Sequence, residues 1–451
     1  MKITADFTRK TGNVIKPMHG GGQPPMLGTS DRFFHYLTEA GIPYSRLHDV
    51  GGPYGEGRFV DIPNIFRNFD ADVEDPASYD FVFTDKLLAD LNKAGIEPFY
   101  RLGVTIENDY RMKSYRLDPP KDTLKWARIC EHIIRHYNEG WANGFHYGIK
   151  YWEIWNEPDG EKELVGGDCF HGTQEEYFRM YEVTAKHLKQ CFGDSIMVGG
   201  YASTGFHARA QDPELNGIYP EKYETDSQHW IDFFHDFLKY IGSEEHKSPI
   251  DFFSWHTYAH DPREIPDWAR YCRKVLTKYG FGDVPDILDE WNPAIGNIIR
   301  SEPVAAARIM ATMLLMQKEI TSLMTYYDTR IGPSRYGGVF NPDTWAPYKS
   351  YYAFMGFNEL YKLKNEVFTA SDDETICVGG ATNGRKSVLV ISNISDKAVE
   401  CELELGGAEN TENEIIRIDD VYTYTLCGQK IKDNKITMPP YGVAVIRFRE
   451  E

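Results

Sequence analysis

The feature of this sequence that most constrains its fold is an eightfold alternation between residues 14 and 361. Short apolar runs alternate there with longer amphipathic stretches. Short apolar runs are typical of buried parallel strands, and the amphipathic stretches are typical of the helices that cover them. Eight such units in series close into a barrel more readily than they form an open sheet. The sequence therefore predicts an α/β fold, a (β/α)8 TIM barrel, over residues 14–361.

Local signals mark the predicted helices between these strands. The stretch Thr84 to Ala94 carries leucines on one face and is followed by Gly95, a typical helix C-cap residue. A long apolar helix is predicted from Pro303 to Glu319, because proline is tolerated in the first helical turn. The eight predicted strands are Val14 to His19, Tyr44 to Asp49, Glu97 to Leu102, Lys150 to Trp155, Ile196 to Gly200, Asp251 to His256, Asp286 to Asp289 and Ser322 to Tyr327.

After Leu363 the pattern changes to β-branched residues alternating with polar ones, interrupted by Asn-Gly and Gly-Gly turns. This alternation predicts a C-terminal β-sandwich domain over residues 362–451, to which residues 1–13 could add a strand. No catalytic grouping stands out in this part of the chain. We therefore interpret it as a structural accessory domain rather than a separate sugar-binding module.

Composition narrows the range of partners. The formal net charge of -19 disfavours nucleic acid and anionic membranes, since both require clustered lysine and arginine. The 7 cysteines include no CxxC pair, so neither a zinc ribbon nor a disulfide framework is indicated. The histidines are dispersed, and we expect no metal and no other cofactor. The amino terminus lacks an apolar run typical of a signal peptide, and no later stretch resembles a membrane span, so a cytoplasmic location is expected.

The strongest chemical signal is the motif YWEIWNEPD, Tyr151 to Asp159, at the end of the fourth predicted strand. In a (β/α)8 barrel the carboxyl ends of the strands face the active site, which places Asn156 and Glu157 there. An amide can hold a sugar hydroxyl, and a carboxylic acid can protonate a leaving oxygen. The motif therefore predicts Glu157 as a general acid/base.

A second motif, PDILDEWN from Pro285 to Asn292, ends the seventh predicted strand and carries Glu290. Glu290 is thus expected on the same barrel rim as Glu157, although the two are far apart in the sequence. Retaining glycoside hydrolysis uses two carboxyl groups about 5–5.5 Å apart, one as nucleophile and one as acid/base. The pair predicts this reaction, with Glu290 as nucleophile.

Polar residues at other strand ends complete the predicted pocket. In DFFSWHTY, His256 could bind a sugar hydroxyl and Tyr258 could orient Glu290, although a buried histidine and tyrosine satisfied by backbone would look the same. In SRLHDV, Arg46 is typical of an anchor for a buried carboxylate, and His48 could reach the sugar. Tyr327 ends the eighth predicted strand and Asp328 follows it, and both are candidate substrate contacts.

Other acidic residues compete with the favoured pair. Glu107 and Asp109 follow the third strand, and Glu153 and Asp289 lie close to Glu157 and Glu290. Because side chains alternate along a strand, Glu153 and Asp289 are predicted to be out of phase or too deep to replace the pair.

Taken together, RLHD, YWEIWNEPD, SWHTY and DEWN resemble clan A of the glycoside hydrolases, and most of all glycoside hydrolase family 39. This family contains β-xylosidases and α-L-iduronidases, and its members carry a β-sandwich after the barrel. The resemblance implies that Glu157 is the acid/base, Glu290 the nucleophile and Asn156 the hydroxyl-binding amide. It also implies that His48, His256 and Tyr258 line the sugar pocket.

The loop YYDTRIGPSRYGGVF departs from the family pattern. The xylosidases tend to carry acidic residues there, whereas this chain has Arg330 and Arg335 beside Asp328. Arginines at the mouth could pair with a uronate carboxylate, or they could be solvated loop charges.

The expected activity is an exo-acting, retaining glycosidase of the β-xylosidase type on an oligosaccharide or glycoside. An α-L-iduronidase-like uronidase, a β-glucosidase or an α-L-arabinofuranosidase remain alternatives within the same chemistry. A non-catalytic carbohydrate-binding barrel and a metal-dependent hydrolase are the alternatives outside it. A homo-oligomer is compatible with the sequence.

Overall fold

The structure is a computed structural model that describes residues 1–50, 59–105, 117–160, 169–205, 228–294, 300–332, 336–408 and 411–449. Within these residues the chain forms a closed parallel barrel and a separate, mostly antiparallel nine-stranded sheet. The predicted fold class, a (β/α)8 barrel followed by a β domain, is confirmed.

The barrel strands are all parallel, and the last pairs with the first to close the ring. Their bounds follow the order of the sequence. They are β2 (Gly20–Gly22), β3 (Tyr44–Leu47), β4 (Glu97–Leu102), β5 (Tyr151–Ile154), β6 (Met197–Ser203), β7 (Phe252–Thr257), β8 (Asp286–Trp291) and β9 (Leu323–Tyr326).

The prediction of the first barrel strand at Val14 to His19 was wrong. Val14 ends the strand β1 (Lys2–Val14) of the other sheet, and the barrel begins at Gly20–Gly22. Glycine is required there by crowding, because a Cβ on Gly20 would lie 2.5 Å from the carbonyl oxygen of Met324. A three-residue strand of glycine has no side-chain pattern, so periodicity could not identify it.

Helices cover the barrel as predicted, with small shifts at their ends. Helix Val82–Ala94 ends at Gly95, whose φ of 72° is the left-handed cap conformation that glycine adopts without strain. The helix predicted from Pro303 to Glu319 ends at Met316. The helices are α1 (Phe34–Ala40), α2 (Ile62–Ile65), α3 (Val82–Ala94), α4 (Thr123–Asn138), α5 (Gln174–Phe192), α6 (Gln228–Gly242), α7 (Ile265–Lys278), α8 (Pro303–Met316) and α9 (Lys349–Tyr361).

Apolar side chains fill the amino-terminal end of the barrel. Phe99 of β4 packs against Phe252 of β7 and Tyr151 of β5, with ring centroids 5.4 Å apart in both pairs. Ile287 and Leu323 belong to the same buried cluster. Since this end is filled, the polar residues at the carboxyl ends of the strands line the opposite end.

The second sheet consists of β1 and eight strands from the carboxyl-terminal part of the chain. These are β10 (Asn365–Ser371), β11 (Ile376–Thr382), β12 (Lys386–Asn393), β13 (Val399–Gly406), β14 (Glu412–Ile418), β15 (Thr423–Leu426), β16 (Lys435–Met438) and β17 (Val443–Arg449). The order of the strands in the sheet is β15-β14-β17-β12-β11-β10-β1-β13-β16. Strand β1 thus lies between β10, to which it is antiparallel, and β13, to which it is parallel.

Strand β12 shows how this sheet buries both of its faces. Leu389 and Ile391 pack into the core of the β domain, whereas Val388 and Val390 join the core that includes the barrel helices. This follows from the alternation of side chains along a strand. The Ser392 hydroxyl also donates to the carbonyl oxygen of Ala307 in α8, at 2.8 Å. The β domain is therefore packed directly on α8 of the barrel.

Two sequence expectations concern the chain as a whole. All 7 cysteines are unpaired, so no disulfide is formed. Among the helices that the structure describes, none combines the length and apolar character needed to cross a bilayer.

Candidate active site

The two glutamates singled out by the sequence lie together at the carboxyl end of the barrel. Glu157 follows β5, and Glu290 lies near the end of β8. One carboxylate oxygen of each lies within 4.8 Å of the other and of a ring nitrogen of His256. This spacing agrees with the separation of about 5–5.5 Å that double displacement requires. The geometry therefore supports a nucleophile and an acid/base acting on one anomeric carbon.

The backbone around Glu157 adopts an unusual conformation. Trp155 has φ 77° and Glu157 has φ 47°, both in the left-handed region that residues with side chains rarely occupy. Neighbouring groups hold this conformation: the Glu157 N–H donates to the Ala202 carbonyl at 2.9 Å, and the Trp155 indole donates to the Cys169 carbonyl at 2.9 Å. Such strain persists only where the surroundings determine it, and it is common at functional sites.

The Glu157 carboxyl group has one buried neighbour on each oxygen. His256 Nδ1 lies 2.6 Å from Oε1, and the Cys169 thiol lies 3.5 Å from Oε2. Although burial disfavours a charged ring, the carboxylates of Glu290, Asp289 and Glu157 raise the pKa of His256 well above its usual value. His256, predicted as a sugar contact, is thus hydrogen-bonded to Glu157, the predicted acid/base.

The Glu290 carboxylate contacts side chains from two other strand ends of the barrel, those of β3 and β7. Arg46 Nη1 donates to Oε1 at 2.8 Å, and the Tyr258 hydroxyl donates to Oε2 at 2.5 Å. Nε2 of His48 lies 3.8 Å from Oε1. Burial raises the pKa of Glu290, although the charges of His256 and Arg46 act in the opposite direction. Tyr258 therefore has the orienting position that the sequence indicated.

Arg46 is the centre of a buried ionic cluster. Its guanidinium contacts Glu153 at 2.7 Å and Asp289 at 2.8 Å as well as Glu290, and it donates to the Asn156 side-chain oxygen at 2.8 Å. The side-chain oxygen of Asn156 is thereby occupied, which leaves its NH₂ group as the donor for a sugar hydroxyl. Glu153 and Asp289 are fully buried, and neither is positioned to replace the catalytic pair.

A local irregularity explains why consecutive carboxylates both reach Arg46. The pairing of β7 with β8 shifts register between Trp255 and His256, so that His256 is opposite Glu290. A β-bulge of this kind redirects side chains that would otherwise alternate strictly. Asp289 and Glu290 can therefore contact the same guanidinium.

Next to Glu290 lies a polar cluster that the sequence reasoning identified only in part. His48 Nδ1 accepts from Arg101 Nε at 3.2 Å, and His48 Nε2 lies 3.2 Å from Asp49. The Tyr327 hydroxyl donates to Asp49 at 2.7 Å, and the Gln23 side chain donates to the same oxygen at 3.2 Å. Asp49 and Gln23 were missed, although Asp49 is part of the RLHD motif and could have been considered with it.

Asp159 was also missed, and it connects two loops at the site. Its buried carboxylate accepts from the Ser203 hydroxyl at 2.6 Å and from the Thr204 N–H and hydroxyl, both at 2.9 Å. Burial raises the pKa of Asp159 to about 6. These bonds tie the loop after β5, which carries Glu157, to the end of β6.

The loop after β9 places Asp328 and Arg330 side by side. Asp328 is fully buried, and Arg330 Nε lies 3.2 Å from its carboxylate. Arg330 is therefore engaged with a carboxylate of the chain itself. The predictions for Arg335, Glu107 and Asp109 fall outside the described residues.

Two groups of side chains among the described residues are close enough to hold a metal ion. One is Glu157, His256 and Glu290, whose spacing is accounted for by acid–base chemistry. The other, Glu131, His187 and Cys191, lies on α4 and α5 outside the barrel. There Glu131 is hydrogen-bonded to His187 at 2.6 Å and to Arg135 at 2.7 Å, so its carboxylate already has two partners.

Replacement of Arg46 by lysine should move the acidic limb of the pH profile of kcat/KM to higher pH. Glu290 acts in its ionised form, and a single ammonium cannot contact Glu153, Asp289 and Glu290 together as the guanidinium does. With less positive charge at its oxygens, the pKa of Glu290 rises further.

Arg417 in the β domain provides the matched control, since it is equally buried and hydrogen-bonded. Arg417→Lys should lower Tm without moving the acidic limb. An unchanged acidic limb in Arg46→Lys would contradict the assignment.

Tyr258→Phe should lower kcat/KM by about 10- to 100-fold, the effect of losing a hydrogen bond to a charged group. The lost bond is the 2.5 Å contact with Glu290. Tyr326→Phe is the control, because it removes a hydroxyl that donates to the Gly337 carbonyl and not to a carboxylate. Steady-state kinetics of both variants on one aryl glycoside tests this, and equal effects would remove Tyr258 from its role.

The barrel and its facing carboxyl pair define the general class of retaining (β/α)8 glycosidases. Within it, residues 38–372 match the family described as glycosyl hydrolases family 39, and the chain belongs to that family.

Two curated relatives are each named beta-xylosidase. The one from Geobacillus stearothermophilus is 28% identical over 215 residues, which are 45% of this chain and only 35% of the relative. The one from Caldicellulosiruptor saccharolyticus is 25% identical over 421 residues, or 85% of this chain and 76% of the relative. The chain thus spans about a third of the first relative and about three quarters of the second.

Solved structures share the fold over the whole chain. A glucosidase from Croceicoccus marinus has a TM-score of 0.77 at 19% identity, covering 100% of this chain and 99% of its own. A GH39 beta-xylosidase from Caulobacter crescentus has a TM-score of 0.70 at 19% identity, covering 100% of both chains.

Proposed function

We propose that this protein is a retaining exo-glycosidase of the β-xylosidase type, with Glu290 as nucleophile and Glu157 as acid/base. The observation that carries the proposal is the distance between the two carboxylates, which lie within 4.8 Å of each other at one barrel mouth. Membership in family 39 and relatives named beta-xylosidase support the same conclusion.

In the first step of this reaction a Glu290 oxygen attacks the anomeric carbon. The glycosidic bond breaks, and the leaving oxygen takes the proton of Glu157. In the second step Glu157 removes a proton from water, which attacks the same carbon and releases Glu290. Asn156 and His48 are proposed to bind hydroxyls of the sugar.

A neutral sugar is favoured over a uronide by the charges at the mouth. Arg330, the arginine of the loop after β9 that the structure describes, lies 3.2 Å from the buried Asp328. A uronate would have to compete with that internal carboxylate. The names of the two relatives support specificity for xylose.

Exo action is supported by an aromatic wall beside the nucleophile. Tyr336 packs against Tyr258 and Tyr327, with ring centroids 5.0 Å and 5.2 Å apart. We infer from this wall that the site is closed on this side of Glu290, as a pocket for one terminal sugar would be.

A panel of nitrophenyl glycosides tests the proposal directly. It should contain the β-xyloside, β-glucoside, α-L-arabinofuranoside and α-L-iduronide. We expect the highest kcat/KM on the β-xyloside, xylose as the only first product from xylo-oligosaccharides, and a first product of β configuration by NMR. A preference for the iduronide would transfer the assignment to a uronidase, and an inverted product would refute the retaining mechanism.

A further inference from the structure

Beneath the catalytic pair lie two carboxyl groups that the proposed reaction does not use. Glu153 of β5 and Asp289 of β8 are both fully buried. An oxygen of each lies against the same nitrogen, Arg46 Nε, at 2.9 Å and 2.8 Å, so the two carboxyl groups are immediate neighbours. Two ionised carboxylates at this distance repel each other strongly in a buried site. A buried carboxyl pair is stable when one proton lies between its members.

Charged and polar groups of four other residues surround the pair. Arg46 of β3 donates to Glu153 Oε2 from Nε at 2.9 Å and from Nη2 at 2.7 Å, and its Nε lies 2.8 Å from Asp289. His256 of β7 lies 3.6 Å from Asp289 through Nε2. The hydroxyl of Ser254, also of β7, is hydrogen-bonded to Glu153. Glu290 shares the guanidinium of Arg46.

Three carboxyl oxygens of Glu153 and Asp289 have incomplete hydrogen bonding. Among the described residues, Glu153 Oε1 and both oxygens of Asp289 accept no well-formed hydrogen bond. Arg46 Nε and His256 Nε2 lie 2.8 Å and 3.6 Å from Asp289 as ion-pair partners only. Buried acceptors without a donor are rare in folded proteins because they are costly. A proton on Glu153 Oε1 supplies the missing donor to Asp289, while Oε2 stays free to accept from Arg46.

We propose that Glu153 and Asp289 share one buried proton, carried by Glu153, and that the neutral Glu153 keeps Arg46 available to the anionic Glu290. The proton comes from solvent water, and no bond other than O–H is formed or broken. Glu153 is thus a positioning residue that acts through Arg46. The part of this inference that concerns Glu290 rests on the proposed function, whereas the location of the proton does not.

Several contacts place the proton on Glu153 rather than on Asp289. Burial raises the pKa of Glu153 well above its usual value, and Arg46 only partly opposes this. Asp289 is equally buried, but it faces the charges of both Arg46 and His256, and these lower its pKa. The Glu153 side chain has only one of these two cations beside it.

The charge state of Glu153 matters for the nucleophile. With Glu153 neutral, Arg46 has two anions to balance, Asp289 and Glu290. An ionised Glu153 would add a third carboxylate to the same guanidinium and would make ionisation of Glu290 harder. The shared proton therefore favours the ionised form that attacks the sugar.

Infrared spectroscopy tests the proton without reference to activity. The difference spectrum of the wild type minus Glu153→Gln at neutral pH should contain the carbonyl stretch of a protonated carboxylic acid. Asp61→Asn is the matched control, since Asp61 is a buried carboxylate whose oxygens face Arg101 and Thr105. Its difference spectrum should lack that stretch. Absence of the stretch in the Glu153 spectrum would overturn the proposal.

Activity tests the position of the proton. Glutamine reproduces a neutral donor at residue 153, so Glu153→Gln should retain at least about tenfold more kcat/KM than Glu153→Ala or Asp289→Asn, the effect of restoring one buried hydrogen bond to a charged group. The reverse order, with Asp289→Asn more active than Glu153→Gln, would place the proton on Asp289 and refute the assignment.

Two further results keep the test decisive. If Glu153→Gln fails to fold, NMR of the Glu157→Gln variant with carbon-isotope-labelled glutamate removes the proton of the acid/base from the spectrum. This variant should still show a carboxyl that stays protonated at neutral pH, and its absence would refute the proposal. If the wild type is inactive on every glycoside but the infrared stretch is present, the proposed function fails and the shared proton stands.

Discussion

Glu290→Ala should lose turnover on every glycoside that the wild type hydrolyses, by about 10⁴-fold or more, because no other group can form the covalent intermediate. Glu290 is nine-tenths or more buried and held by Arg46 and Tyr258, so alanine leaves a cavity beside the anomeric carbon. Azide is small enough to enter such a cavity. We expect added azide to restore part of the turnover and to yield a glycosyl azide with the anomeric configuration inverted relative to the substrate.

The matched control is Glu182→Ala on the outside of the barrel. Glu182 accepts from the Tyr240 hydroxyl at 2.6 Å and lies 3.0 Å from His246, so it loses contacts of the same type as Glu290. Its kcat should remain within a small factor of the wild type. Kinetics with and without azide, together with NMR of the product, make the measurement. Full activity of Glu290→Ala, or a glycosyl azide of retained configuration, would remove Glu290 from the nucleophile's role.

The common location of Glu157 and Glu290 could be predicted from the sequence, because a rule of barrel geometry relates residues that are distant in the chain. Parallel strands in a barrel end at the same rim, so Glu157 and Glu290 had to be neighbours if each followed its own strand. Strands β4, β5 and β7 were found at nearly the predicted residues, because apolar side chains mark them. The rule fails where side chains are absent, as at Gly20–Gly22.

The polar contacts inside the site could not be predicted in the same way. Arg46 was expected to anchor a carboxylate, but periodicity cannot show that one guanidinium contacts Glu153, Asp289 and Glu290. That arrangement depends on a register shift between β7 and β8, which a strict alternation of side chains excludes.

The backbone conformation around Glu157 could not be predicted from the sequence either. The left-handed φ values of Trp155 and Glu157 have no marker in the sequence, because neither residue is glycine. They are imposed by contacts with β6 and with Cys169, which are remote in the chain. Sequence therefore predicted that Glu157 and Glu290, the proposed catalytic pair, lie at one rim, and only the structure gives the direction in which Glu157 points.

Glu157→Ala should separate substrates by their leaving groups. A poor leaving group needs protonation when the glycosidic bond breaks, so its kcat/KM should fall by about 10²- to 10⁴-fold. A dinitrophenyl glycoside departs as a stable anion, and its kcat/KM should fall much less. Its kcat should still decrease, since Glu157 is also the base that activates water in the second step, and the glycosyl-enzyme should accumulate.

The reaction with azide distinguishes Glu157→Ala from Glu290→Ala. Once the glycosyl-enzyme has formed on Glu290, azide needs no base to attack it, so added azide should raise kcat and give a glycosyl azide of retained configuration. The control is Glu131→Ala, which removes a carboxylate hydrogen-bonded to His187 at 2.6 Å, as Glu157 is to His256 at 2.6 Å. Its kinetics should not depend on the leaving group. Equal losses on good and poor leaving groups in Glu157→Ala would show that another residue supplies the proton. Inverted glycosyl azide from this variant would exchange the roles of the two glutamates.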